Sequence, residues 1–293
     1  MQTVITGQTP HYNKMAKKIK IIKKRDRKRV DPLAKQKLAW TTGHSLVVVC
    51  GILFSIAYFF QILLFFKYRN WKWLFLRENK NYTFIKGTRW YHTILRHTPL
   101  LLYKTSLIGV FVSYGVTLLQ NWKGVDPSWN DLLASQNFQS IMIAALWFVS
   151  GGKSFYKLVP FMVLSYLHLI NMKNEFNGVD NHKEFSKKYK FQLNIVAYSE
   201  LVVMLRLLID ALVMRTGTSG YMFVIYLGIY WLRLNYSAYA QASVVQIIKL
   251  VDHKIPKQAQ PLWTGFKKFL SLKISECIER NRQIEKEDAI IAT

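Results

Sequence analysis

Charged residues withdraw from this chain six times. They leave apolar runs at Thr41–Phe66, Leu100–Leu119, Ile141–Val149, Leu158–Met172, Phe191–Met214 and Tyr221–Leu234. The stretch LVVVCGILFSIAYFFQILLFF, Leu46–Phe66, contains no charge at all. About 20 apolar residues, each rising about 1.5 Å, cross a bilayer, so the first run can span with tilt. The second follows Pro99 and holds only Lys104. The third and fourth are short, separated by Gly151 and Gly152 with Lys153 and Lys157 alongside. The turn-like RTGTSG, Arg215–Gly220, leads into the sixth. Runs this short suit re-entrant or interfacial placement, so the three longer ones are the expected spans. Lipid tolerates no open sheet edge, which makes every run a helix. The expected fold is all-α: a polytopic helical membrane protein with short or re-entrant apolar segments and a C-terminal amphipathic helix. It divides into an arm at 1–40, a membrane region at 41–234, interfacial helices at 235–280 and a charged tail at 281–293, the tail expected to be disordered.

Composition changes the picture by exclusion. The 293 residues carry a net charge of +25 and are 51% hydrophobic. A nucleic-acid binder reaches such charge by diluting its apolar content, and this chain does not, so no direct nucleic-acid contact is expected. Aromatic residues make up 15%, as expected where side chains meet a lipid–water boundary. Cys50 and Cys277 stand far apart with no CxxC and no Cys/His spacing, so neither a disulfide framework nor a metal or other cofactor is expected. The N-terminal region lacks the short apolar core and small-residue cleavage site of a secretory signal.

The distribution of charge sets sidedness. Residues 1–40 hold twelve Lys/Arg against two Asp, and the positive-inside rule keeps that arm cytosolic. A single crossing would then put Lys67–Thr98 in the lumen, yet that loop holds eight Lys/Arg against one Glu. Either the first run dips in and returns, as a wedge that expands one leaflet, or orientation here is frustrated. Asn81-Tyr82-Thr83 is a glycosylation sequon inside the disputed loop, and a glycan on Asn81 would put the loop in the lumen. Gln120–Asn137, with Lys123 against Asp126 and Asp131, is the best lumenal candidate. Both termini are expected in the cytosol. Lys17, Lys18, Lys23, Lys24, Arg25, Arg27, Lys28 and Arg29 form the densest part of the arm. Beside a membrane segment each gains about 1 kcal/mol from anionic lipid. The sharper reading of the same cluster is an import-receptor epitope.

Intramembrane charge marks candidate chemistry. Glu200, Arg206 and Asp210 occupy one third of the fifth helix, and Arg206 and Asp210 stand four apart, able to neutralise each other. The functional reading is an ion or proton path; the plainer and favoured reading is a satisfied packing face. His44 and His168 each stand alone in an apolar run, which favours structural roles. His92 and His97, five apart, do not share a face. No catalytic set, phosphate loop or dinucleotide fingerprint is present. Near the C-terminus, Trp263, Phe266, Leu270, Ile274, Cys277 and Ile278 fall within one arc of a helical wheel, with Lys267 and Lys273 in or beside it. Such a basic amphipathic helix is either an interfacial anchor on anionic lipid or a helix docked on the protein's own bundle.

Several stretches resemble the transmembrane protein 33 family, also called the Krüppel homologue 2 family. They are VPFMVLSYLHL (Val159–Leu169), AYSELVVML (Ala197–Leu205, with Glu200 at the family's acidic position), IYWLRLNYS (Ile229–Ser237), and QIIKLVDHKIP followed by PLWTGFKKFL. The similarity covers about Phe138 to Lys273 and consists mostly of apolar and aromatic positions. Asn235 stands where the family commonly has Arg, with Arg233 nearby, and the basic arm and Lys67–Thr98 have no clear counterpart. The resemblance implies a non-enzymatic protein of the endoplasmic reticulum and nuclear envelope. Its fungal branch consists of pore-membrane nucleoporins that act with other nucleoporins, reticulon-type proteins and an import receptor. A rival reading from another class is a small-solute transporter or lipid-handling membrane enzyme using Glu200, Arg206 and Asp210.

Overall fold

The computed structural model describes residues 34–68, 87–123, 127–150, 152–177, 188–214, 218–252, 255–256, 258 and 260–291. Among them every regular element is helical. In chain order they are α1 (Ala34–Tyr68), α2 (Trp90–Asn121), α3 (Trp129–Ala134), α4 (Gln136–Val149), α5 (Phe155–Asn177), α6 (Lys190–Leu212), α7 (Ser219–Tyr236), α8 (Ala238–Asp252) and α9 (Gln260–Ile291). The fold is all-α, as the apolar pattern requires. Three helical stretches are long and apolar enough to cross a bilayer: Ala34–Phe60, Trp90–Asn121 and Phe155–Met172. The third is in α5, one of the two shorter runs, while α6 carries Glu200, Arg206 and Asp210.

Three expectations change. The first run does not dip and return: α1 is one unbroken helix of 35 residues, about 50 Å long, with no turn in it. The second helix starts at Trp90, ten residues before Leu100, and runs through Pro99. Pro99 offers no N–H to the Leu95 carbonyl, and one residue earlier the Thr98 hydroxyl donates to the Ile94 carbonyl at 2.9 Å. The C-terminal tail is not disordered up to Ile291, since α9 continues that far. Asn81 and the disputed part of its loop lie outside the described residues, as do Lys17, Lys18, Lys23, Lys24, Arg25, Arg27, Lys28 and Arg29.

The start of α3 is written locally. Ser128 Oγ accepts from the Asp131 N–H at 3.3 Å, and Asp131 Oδ2 accepts from the Ser128 N–H at 3.0 Å. This reciprocal capping box starts α3 at Trp129.

Residue pairs fix the directions of the helices. Gln36 meets Gln120, Trp40 meets Thr117, Gly43 meets Ser113 and Phe54 meets Tyr103, so α1 and α2 are antiparallel. Thr41 meets Met172, His44 meets Ser165 and Phe59 meets Phe155, so α5 is also antiparallel to α1. Ser140 meets Arg233 and Trp147 meets Tyr226, which sets α4 against α7. The six long elements α1, α2, α4, α5, α6 and α7 therefore alternate in direction. The end of the bundle where α1 begins is also the end where α7 finishes.

The α1–α2 contact relies on small residues. A Cβ on Gly109 would stand 2.7 Å from the Gly43 carbonyl oxygen, and one on Gly43 would stand 2.8 Å from the Ser113 nitrogen. The backbones touch directly, as small residues allow between helices in lipid. The opposite face of α1 is apolar and open: Val49, Ile52, Leu53, Ile56, Phe59 and Phe60 are all exposed. A soluble protein does not present so long an uncovered apolar stripe.

Candidate functional site

Glu200 is buried to 1% exposure in the middle of α6, where an unpaired carboxylate would cost several kcal/mol. Its partner comes from another helix: Arg233 of α7, itself 3% exposed, forms an ion pair with the Glu200 carboxylate. The second arm of the guanidinium donates to Ser140 Oγ of α4 at 2.8 Å. The Tyr226 hydroxyl donates to the Glu200 main-chain carbonyl at 3.2 Å, tying α7 to α6 a second time. Three helices are thus clamped around one charge pair.

Lys157, near the start of α5, adds a second buried cation. Its Nζ donates to the Gly152 carbonyl at 3.1 Å and to Ser150 Oγ at 3.4 Å, and lies 4.4 Å from the centre of the Trp147 ring. Between these groups lies a cavity of about 10 Å³, room for about one water molecule. Lys157, Glu200, Arg233, Trp147 and Tyr226 contribute to its wall. The remaining Glu200 oxygen and Arg233 Nε have no hydrogen-bond partner in the structure. The space is large enough for a single water beside these two atoms, and too small for an organic solute.

Glu200 finds its ion-pair partner away from Arg206 and Asp210. Arg206 pairs with Asp210 at 3.1 Å on α6, each about one-fifth exposed, while Glu200 turns to α7. Arg233, Lys157 and Ser140 were missed as members of the site. The signal was present: Arg233 and Lys157 are cations next to or inside apolar runs, where charge deserves a named partner.

The isolation expected of His44 and His168 is also overturned. Their rings stack with centroids 4.9 Å apart, and Trp40 and Tyr114 pack against both. His44 Nδ1 lies 3.0 Å from Ser165 Oγ. The pair joins α1 to α5, so no spacing along one helix could reveal it.

α9 keeps one foot on the bundle. Phe269 stacks on Trp231 of α7 at 5.8 Å, and Leu270 is buried. Trp263 Nε1 and Lys267 Nζ both donate to Asp252 Oδ1 of α8, at 2.8 and 2.6 Å. The predicted arc is therefore turned partly inward: Leu270 is covered and Trp263 and Ile274 are half-buried, whereas Phe266 is exposed. The side chains of Cys277 and Ile278 lie outside the described residues. A neighbouring face carries Leu262, Phe266, Phe269 and Leu272, all exposed.

The chain is 52% identical over 274 residues to "Uncharacterized membrane protein YGR026W" of Saccharomyces cerevisiae, covering 92% of this chain and 99% of the yeast protein. The chain belongs to this family of membrane proteins. No protein-family model matches it, and no solved structure does. Family membership supports the membrane assignment. It does not extend to the transmembrane protein 33 name or to its nucleoporin branch.

Proposed function

We propose that this family member is a non-enzymatic scaffold that shapes or stabilises curved membrane in the endoplasmic reticulum and nuclear envelope. On this reading it supports the distribution and assembly of nuclear pores. The observation that carries the reading is α9. It is docked through Phe269 and Leu270, yet presents Leu262, Phe266 and Leu272 outward with Lys267 and Lys268 beside them. An apolar face flanked by lysines enters one leaflet and spreads its headgroups. If the basic arm is cytosolic, the bundle's alternation puts α8 and α9 on the cytosolic side, where anionic lipid is found. Partners of this reading are the bilayer, anionic lipid, nucleoporins, reticulon-type proteins and an import receptor. The endoplasmic-reticulum and pore assignments rest on the resemblance in Phe138–Lys273.

The test is imaging of the fluorescently tagged full chain beside a pore marker, in cells with and without the native gene. The expected result is a punctate nuclear rim plus cortical reticulum, with clustered pores on deletion. Plasma-membrane, Golgi or mitochondrial signal with normal pores would overturn it.

One observation favours the rival of a small-solute transporter or lipid-handling enzyme: α6 carries the Arg206–Asp210 ion pair among apolar residues, each side chain about one-fifth exposed. Neutralising Arg206 and Asp210 together separates the two. A scaffold keeps its localisation and pore phenotype, whereas a transporter using that pair loses activity.

A further inference from the structure

The first half of α9 has three faces, not two. Leu270 is buried and Trp263 and Ile274 are half-buried, which marks the side turned to the bundle. Leu262, Phe266, Phe269 and Leu272 are exposed and apolar on a second side. At 3.6 residues per turn, Thr264, Lys268, Ser271 and Ser275 fall together on the remaining arc, and all four are exposed. Each of the three hydroxyls donates to a carbonyl of its own helix: Thr264 to Gln260 at 2.8 Å, Ser271 to Lys268 at 2.9 Å and Ser275 to Leu272 at 2.8 Å.

One of these hydroxyls stands in a distinct charge setting. Ser271 lies in KKFLSLK, with Lys267 and Lys268 one turn before it and Lys273 two residues after. Thr264 has no lysine in the four residues before it, and Ser275 is followed by Glu276. Basic residues on both sides of a serine, with an apolar residue directly after it, are what the acidic substrate groove of a basophilic kinase recognises. The same lysines are the ones beside the outward apolar face. A phosphate on Ser271 would bring about −1.5 to −2 charges within one turn of Lys267 and Lys268.

We propose that Ser271 is a phosphorylation site for a cytosolic basophilic serine kinase, and that its phosphate frees α9 from anionic lipid. In the transfer, Ser271 Oγ bonds to the γ-phosphorus of ATP. The bond to the bridging oxygen breaks, ADP leaves, and the hydroxyl proton passes to the kinase's base. The phosphate then competes with lipid for Lys268 and with Asp252 for Lys267, whose bond to Asp252 lies open to water. The attraction of about two lysines for the leaflet is cancelled, while the apolar face is unchanged. The proposal rests on the reading that α9 meets anionic lipid on the cytosolic side, and it supplies the regulation of that contact.

The test uses the full chain in lipid nanodiscs, of phosphatidylcholine alone or mixed with phosphatidylserine, and reads amide hydrogen exchange in the α9 peptides. The unmodified chain exchanges more slowly in the anionic discs. ATP and the catalytic fragment of protein kinase C, which needs no lipid activator, place phosphate on Ser271, as read by peptide mass spectrometry. That phosphate lowers the added protection by up to about 30-fold. Ser271→Ala keeps the added protection through the same treatment, and Ser271→Glu loses part of it with no kinase present. Absence of phosphate on Ser271, or added protection that survives its phosphorylation, would overturn the proposal. Equal exchange of the unmodified chain in the two kinds of disc would instead overturn the membrane reading of α9, and this proposal with it.

Discussion

Two parts of the bundle hold helices together by opposite means. Between α1 and α2, the contact depends on side chains that are absent. Gly43 and Gly109 bring the backbones together, and Ser106 and Ser113 return their hydroxyls to nearby carbonyls. Among α4, α6 and α7, the contact depends on charges that would be intolerable alone: Glu200, Arg233 and the Ser140 hydroxyl that shares the guanidinium. The first kind of contact gains from dispersion and is degraded by any added atom. The second gains little net energy but is severely damaged by removing one member. Shape is graded, whereas pairing is all or none.

The largest expected effect breaks the charged region. Arg233→Met leaves Glu200 buried without its partner and should cost about 3–5 kcal/mol, enough to abolish a monodisperse peak in size-exclusion chromatography. The double variant Glu200→Gln, Arg233→Met should recover most of the loss, because an uncharged pair leaves no stranded ion. Failure of the double variant to recover would mean that the clamp to Ser140, rather than charge balance, dominates.

A smaller effect is expected from the small-residue region. Gly109→Ala puts a Cβ 2.7 Å from the Gly43 carbonyl and should cost about 1–3 kcal/mol by forcing α1 and α2 apart. Gly115→Ala, on the same helix with nothing within 4 Å, should be neutral or slightly stabilising. Equal Tm values for the two variants in detergent would erase the distinction.

Below these comes the α9 contact. Phe269→Ala removes the ring stacked on Trp231 and should weaken docking by about 0.5–1.5 kcal/mol. The readout is faster backbone exchange in α9 with no change in α1 or α2. Phe266→Glu should leave docking intact and reduce flotation with anionic vesicles.

The smallest effect concerns pH. Hydrogen bonds from the Ser128 hydroxyl and the Ser128 main-chain N–H hold the Asp131 carboxyl below the usual carboxylate range. A depressed folded pKa means that the cap's contribution is present above the unfolded value. It is lost as pH falls through the folded value. Protection of the α3 amides should decline in that acid window, and Asp131→Asn should remove the dependence.

The same contrast explains what could be read in advance. The all-α fold and the apolar runs follow from one chain property, the avoidance of charge. The Arg206–Asp210 pair was legible because both residues lie on one helix, where spacing is geometry. Glu200–Arg233 and His44–His168 were not, because each pair joins two helices and spacing along one helix says nothing about rotation between two. The continuity of α2 through Pro99 was hidden for a related reason. Proline predicts a boundary locally, and membrane helices can absorb it. The docking of Phe269 depends on Trp231 standing ready on α7, a tertiary fact.

The distribution of the charges has a consequence for biogenesis. Glu200 and Arg233 lie on consecutive helices that run in opposite directions, and Arg206 and Asp210 share one of them. The α6–α7 hairpin can therefore leave the insertion machinery with its internal charges already matched, owing nothing to helices made earlier. Lys157 likewise finds its oxygen ligands within the α4–α5 hairpin. The α6–α7 hairpin can thus be inserted with its own charges matched, whereas Lys157 in the α4–α5 hairpin meets only neutral oxygens there.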